Sequence, residues 1–534
     1  MAKADDKVAV AVGDEIATIF NMNRGEQPRS VSRDQGKGPF ARLVLRGATV
    51  IDGTGAPPQG PFDIAVEGGR ITEMRLVGSP HVPINPSRRL APGDHEIDCH
   101  GKYATPGFID SHAHIGSPFV SDVGEIPPAD YVYKLWLAHG VTTIREMACF
   151  NGLSWTLDQK QRAQRGEIVA PQIQTHAYLP VVNDWIKTLH TPTQVREWLV
   201  KVKERGADGV KFFGAPPQLM REALAACRDL SLRTGCHHAQ TSVARMNALT
   251  TAEWGLTSAE HFYGLQEALY DSRTVQNYPV GYEFGDEYLR FSTAGQGFAQ
   301  AAAPGSAKWR ETMDRFLELG FTFVPTFNVY DANRDLMRAR RADWNDEYMW
   351  KGYRDLFTPY RGGHGSYFYR WSTTNELEWK QNYRVWMQFL YEYKNRGGRV
   401  CAGSDSGFIY SLFGFGFVRE LEMLQEAGFN ALEVIKAATI DGAALLGLDE
   451  DRGSIEVGKR ADLLVHDFNP LSDFKLLYGT GAMRLNEATQ KIEWQRGLRY
   501  TIVGGICYDV VQLLADVRKM VTSSYNTESA VHAV

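Results

Sequence analysis

From Tyr103 onward, short apolar runs of strand length alternate with longer stretches whose apolar residues recur at helical spacing. The strand-like runs are Tyr103 to Ile109, Val141 to Arg145, Gln172 to Thr175, Gly209 to Phe213, Gly235 to His238, Thr257 to Glu260, Thr322 to Thr326, and Arg399 to Gly403. Strand–helix alternation argues for βα units on a parallel sheet, and eight such units are the number that closes a barrel. The predicted fold class is α/β, with a TIM (β/α)8 barrel over residues 104–455. Runs of period two lie on either side of it: Leu43-Val-Leu45, Ala48 to Ile51, Asp63 to Val66 and Arg70 to Met74 before, Ala461 to His466 and Tyr500 to Gly504 after. Neither group can bury itself alone, so residues 41–103 and 456–515 are expected to pair into one smaller β-sandwich domain. His81, His95, His100 and His466 then read as surface or packing residues.

Residues 1–40 form a polar N-terminal extension, read as an arm on its own chain or on a neighbour, and 516–534 a C-terminal tail. The stretch near 330–395 is too long for an ordinary loop. It holds Trp344, Trp350, Trp371, Trp379 and Trp386, five of the twelve tryptophans, together with Arg334, Arg338, Arg340, Arg341 and Arg354. One reading is a helical subdomain whose aromatics are its own core; the other is a lid giving aromatic walls to a bulky substrate.

Composition narrows the class. The chain has 534 residues, 43% hydrophobic and 23% charged, with a formal charge of -5, which offers no electrostatic footprint for nucleic acid. Its six cysteines show no paired spacing and sit in apolar runs, which points to free buried thiols in a reducing, cytoplasmic compartment. Asp14 and Glu15 interrupt the apolar run after Lys7, so no signal peptide is expected, and no run approaches the roughly 18 apolar residues of a membrane span.

Candidate chemistry begins at His112-Ala-His114. Residues two apart on a strand face the same way, so these imidazoles form half of a metal site, unless they are exposed loop histidines. Lys211, His238, His261 and Asp405 each stand at the C-terminal end of a later strand-like run. A parallel barrel brings those ends together on one face.

The ordered set Val50-Ile-Asp-Gly-Thr-Gly55, Pro106 to His114, Gly140 to Glu146, the Lys211, His238, His261 and Asp405 strands, and Gly453 to Leu463 resembles the amidohydrolase superfamily. The similarity is to its prolidase-like and imidazolonepropionase-like branch and covers about residues 41 to 515. It implies one divalent metal on His112, His114 and Asp405, a second on His238 and His261, and Lys211 bridging them as a CO2-derived carbamate. Zinc is the metal implied, with Asp405 as general base. The family's histidine precedes a small residue, which favours His238 before Ala239; alternation would then turn His237 away. Gln240 stands where many relatives carry a further histidine. Lys211 alone could equally be an ion-pair partner at a strand end.

His176, Tyr178, Asn328 and Tyr330 are the candidate substrate contacts. Arg145 and Glu146 are expected to pair with each other, and His139, His190, His364 and His532 to lie on the surface. The implied activity is metal-dependent hydrolysis of an amide-type C–N bond in a dipeptide or N-acyl amino acid. Alternatives are hydrolysis of a cyclic amide, lactone or other ester, a metal-dependent decarboxylase, or a non-enzymatic scaffold. The expected partners are a small amide or peptide-like substrate and further copies of the chain as a homo-oligomer, with neither nucleic acid nor membrane.

Overall fold

The structure, a computed structural model, describes residues 27–80, 82–179, 189–359 and 367–531. Residues 1–26 of the extension, His81, His364 and His532 lie outside the described residues. An eight-stranded parallel sheet is built from β1 (Phe108–Ala113), β2 (Val141–Ala148), β3 (Gln172–Tyr178), β4 (Gly209–Phe212), β5 (Arg233–His237), β6 (Ser258–Glu260), β7 (Thr322–Val324) and β8 (Arg399–Val400). Each strand pairs with its neighbour in chain order. No ladder joins β8 to β1. Two backbone hydrogen bonds cross that seam, from Ser111 N–H to the Ala402 carbonyl (2.9 Å) and from Asp405 N–H to the His112 carbonyl (2.8 Å).

The connecting helices follow from local signals. Pro192–Glu204 starts at a capping box in which Thr191 and Gln194 satisfy each other's backbone, with Pro192 in its first turn. Its buried residues Val195, Trp198, Leu199 and Val202 recur at helical spacing and face the sheet.

The first strand begins later than its apolar pattern suggests. Tyr103–Pro106 pairs instead with Leu463–His466 in the second sheet, and the chain crosses between sheets at Gly107, where a Cβ would lie 2.1 Å from Thr142 Oγ1. That second, mostly antiparallel sheet also takes Leu43–Val50, Gln59–Glu67, Arg70–Leu76, His95–Asp98, Leu498–Val503 and Ile506–Asp509. Both chain ends thus join in one hydrogen-bonded sheet, packed around Leu43, Leu45, Ile64, Leu463, Val465 and Ile502. His466 is a packing residue there, 3.0 Å from Thr105 Oγ1. A separate hairpin pairs Ala482–Asn486 with Lys491–Gln495.

The C-terminal tail is largely helix, Val510–Val531, because Leu513, Leu514, Val517 and Val521 recur at helical spacing and are buried. Residues 27–40 lie along their own chain: Arg33 N–H donates to the Glu167 carbonyl, and Lys37 bridges to Cys507. Among the described residues between 331 and 395 the chain forms four short α-helices, a short 3-10 helix at Tyr367–Arg370 and the long helix Thr373–Asn395. Trp379 and Trp386 are fully buried, and the indole N–H groups of Trp350, Trp371 and Trp379 donate to the carbonyls of Glu125, Asn333 and Phe291. Trp350, Trp379 and Trp386 are core, and Trp371 packs half-buried against it. All six cysteines are buried thiols. Among the described residues no helix is long and apolar enough to cross a membrane.

Candidate metal centre

His112 on β1 and His114, just past its end, meet Asp405, just beyond β8, with one ligand atom from each within 4.8 Å of the others. Asp405 Oδ1 lies 3.2 Å from His114 Nε2 and 3.7 Å from His112 Nε2, and Oδ2 lies 3.7 Å from His261 Nε2. Lys211 Nζ is 3.3 Å from His112 Nε2. All five side chains are buried, yet Asp405 Oδ1 receives no well-aligned hydrogen bond. A buried carboxylate oxygen without a donor is costly in a folded chain. Imidazole nitrogens and a carboxylate are the donors a zinc-like cation prefers, so the residues fit such an ion.

The ring orientations have structural causes. His112 Nδ1 sits 2.7 Å from Glu260 Oε2; because a carboxylate only accepts, Nδ1 carries the proton and Nε2 turns its lone pair to the site. His261 Nδ1 is likewise 2.5 Å from Thr326 Oγ1. Glu260 is itself gripped by Arg145 (3.1 Å) and Ser258 Oγ (2.7 Å). Side chains past the ends of β6, β7 and β8 are aimed by unusual backbone: His261, Thr326 and Asp405 have φ of 64°, 50° and 48°. Left-handed conformations cost non-glycine residues about 1–3 kcal/mol each and gather at functional sites.

Burial pushes His112, His237 and His261 well below the ordinary histidine range, leaving neutral rings able to ligate. Burial also brings the Lys211 amine down to about 8, against the pull of Glu260 and Asp405. For Asp405, burial opposes the charge, but His112, His114 and Lys211 hold the carboxyl below its usual value. For His114, burial is outweighed by Asp405 and Glu146, which raise it.

Two adjacent histidines exchange the expected places. Gly235 is in register with Lys211, and a Cβ on it would meet Glu260 and Arg145; two residues on, His237 points to that same interior. Its ring centroid is 4.7 Å from that of His261. His238 faces the other way, with Nε2 2.8 Å from Thr251 Oγ1, and is not brought to the cluster.

The other candidates separate as well. Tyr330 stands edge-on to His261 at 5.7 Å and stacks on Trp379 at 5.4 Å. Tyr178 packs at the end of β3 against Phe213, 5.5 Å between rings. His176 is fully buried below the cluster and accepts from Arg145 Nε at 3.1 Å. Asn328 Nδ2 donates to the Ser404 carbonyl (2.9 Å) and to Ser411 Oγ, bracing the loop that carries Asp405. Arg145 pairs with Glu260, not with Glu146, which accepts the Ile115 N–H at 2.6 Å. Gln240 is buried, and among the described residues its Nε2 has no hydrogen-bond partner. His139 is in the core, its ring tilted against that of Phe415 at 4.2 Å, whereas His190 is exposed.

Glu260 escaped the sequence reading. Its signal was the alternation Ser258-Ala-Glu260, which sets both polar residues on one face.

Comparison with known proteins agrees with this geometry. Residues 388–507 match the amidohydrolase family. An N-acyl-D-aspartate deacylase of Alcaligenes xylosoxydans xylosoxydans is 30% identical over 157 residues, 29% of this chain and 27% of that protein. The match thus spans about a quarter of that relative's length. The solved bottromycin amidohydrolase superposes with a TM-score of 0.61 at 17% identity, covering 98% of this chain and 95% of that one. A solved Xaa-Pro dipeptidase with bound methionine gives 0.56 at 17% identity, covering 88% and 100%. The chain carries an amidohydrolase-family region on a fold it shares with solved amidohydrolases and prolidases.

Proposed function

We propose that the protein is a metal-dependent hydrolase of an amide-type C–N bond in a dipeptide or N-acyl amino acid, on a (β/α)8 barrel closed at the β8–β1 seam. The observation that carries this is the meeting of His112, His114 and Asp405 around a buried carboxylate oxygen that receives no well-aligned hydrogen bond among the described residues. These three residues would hold one zinc ion. His237 and His261 would hold a second, and Lys211 would join the two as a carbamate, its neutral amine adding to CO2 with loss of a proton. When bound, the ions supply Lewis-acid polarisation of the scissile carbonyl and acidify the attacking water.

Asp405 takes the proton from that water and returns it to the leaving nitrogen. Glu260 fixes the His112 tautomer, and Asn328 steadies the Asp405 loop. Tyr330, edge-on to His261, and Tyr178, packed on Phe213, would meet the substrate. A deacylase among the sequence relatives and a dipeptidase among the structural neighbours support this substrate class. Six buried thiols suit a cytoplasmic setting.

The test is a screen of N-acyl amino acids, dipeptides and lactones against zinc-loaded protein in 18O-labelled water. One labelled oxygen in the carboxylate product of an amide is expected. Turnover of lactones alone, or release of CO2 without label in the product, would overturn the reading.

A further inference from the structure

The hairpin Ala482–Asn486 with Lys491–Gln495 carries an apolar face that the described residues leave about half exposed. Its register sets Met483 opposite Trp494 and Leu485 opposite Ile492. Alternation along each strand then puts all four side chains on one face. They are 54%, 46%, 53% and 60% exposed, respectively. The opposite face is tied to the body by buried Ala482 and by the ion pair of Arg484 with Asp473. Among the described residues no third strand pairs with either outer edge. A lone two-stranded hairpin is marginal in water, and free edges with apolar faces invite association.

Both the chemistry and the size of this face indicate what covers it. The exposed charges nearest this face, Glu487 and Arg496, sum to zero, since alternation turns Lys491 and Glu493 to the other side. A nucleic acid or an anionic lipid surface would be met by a basic rim. A balanced rim can lie against a copy of itself without like-charge conflict. Half exposed, the four apolar side chains present on the order of 400 Å² per copy, within the range of a functional patch. A two-fold contact removes twice that. Beside Trp494 lies a groove of about 260 Å³, lined in part by Trp344, Tyr348, Arg496 and Arg518. Its walls extend the contact toward the roughly 1,200 Å² at which stable interfaces begin.

We propose that this hairpin face is the contact through which two copies of the chain associate about a two-fold axis. An isologous contact needs only one self-complementary patch, and this hairpin supplies it. The metal cluster lies on the other sheet, so the assembly is independent of the proposed hydrolysis.

The test is sedimentation velocity across micromolar concentrations, comparing the full chain with the double variant Leu485→Glu/Ile492→Lys. The two new charges stand directly across the hairpin with opposite signs, which keeps the strands paired. The wild-type chain is expected at twice the chain mass or a multiple of it. The variant should fall to half that mass, its dissociation constant raised at least about 100-fold, with an unchanged circular dichroism spectrum. Amide exchange at Ile492 and Trp494 should slow as wild-type concentration rises and not as the variant's does. A monomeric wild type, including one that instead floats with anionic liposomes, or a variant that associates like the wild type, would overturn the proposal.

Discussion

Alanine at His237 and at His238, made separately, should have opposite consequences. His238 is sealed against Gly264 and bonds Thr251 Oγ1 at 2.8 Å. Removing it deletes a buried ring and one hydrogen bond. Thr251 Oγ1 keeps the Ala248 carbonyl at 3.1 Å, so no orphan hydroxyl is added. The cost should be about 3 kcal/mol of stability, the usual loss for emptying a buried ring site, with metal content unchanged. His237 is half-buried, its ring in contact with those of Phe213, His261 and Tyr263. His237→Ala should therefore cost less than about 1 kcal/mol. As a lost ligand it should weaken the second zinc ion by at least about 100-fold, which is roughly 2.7 kcal/mol of binding. Urea unfolding of the metal-free proteins reads the first quantity, and zinc titration against a competing indicator reads the second. If His238→Ala sheds the second ion while His237→Ala keeps it, the strand-parity reasoning fails.

Asp405→Asn should keep the fold and much of the metal but lose kcat by a factor of about 100 to 10,000; near-normal turnover in loaded protein would place the base elsewhere. Lys211→Ala should lower metal content to about one ion per chain and depress activity with it, measured by elemental analysis and steady-state kinetics, and a fully active variant would remove the carbamate. Glu260→Gln can no longer fix the His112 proton as a carboxylate does, so zinc affinity should fall about 10- to 100-fold; unaltered affinity by titration would make Glu260 a packing residue only. Trp379→Ala should destabilise by about 3–5 kcal/mol in thermal unfolding, whereas a gain in turnover of bulky substrates without loss of stability would favour the lid.

Strand patterning exposed the eight βα units and the convergence of His112, His114, Lys211, His261 and Asp405, because buried parallel strands are short, apolar and end in polar residues. Parity was the harder matter. At β5 the inward face is marked by Gly235, which has no side chain to reveal it, so family position outweighed alternation and pointed to His238. At the end of β6 alternation itself breaks down. Glu260 and His261 are adjacent, yet both serve the cluster, since the positive φ at His261 turns its side chain back inward. Local pattern also could not see that Arg145 reaches across to Glu260, 115 residues away, instead of to its neighbour. The second sheet was legible as two groups of period-two strands. Its register was not, because pairing Tyr103–Pro106 with Leu463–His466 is a long-range choice.

The seam between β8 and β1 gives the cluster a mechanical side. His112 offers its carbonyl to the Asp405 N–H, while the two side chains face each other across the same gap at 3.7 Å. Whatever grips both side chains also clasps the first strand to the last, at the one junction where no ladder does so. Occupancy of the site should therefore be readable far from any substrate, as slowed amide exchange at Ser111 and Asp405.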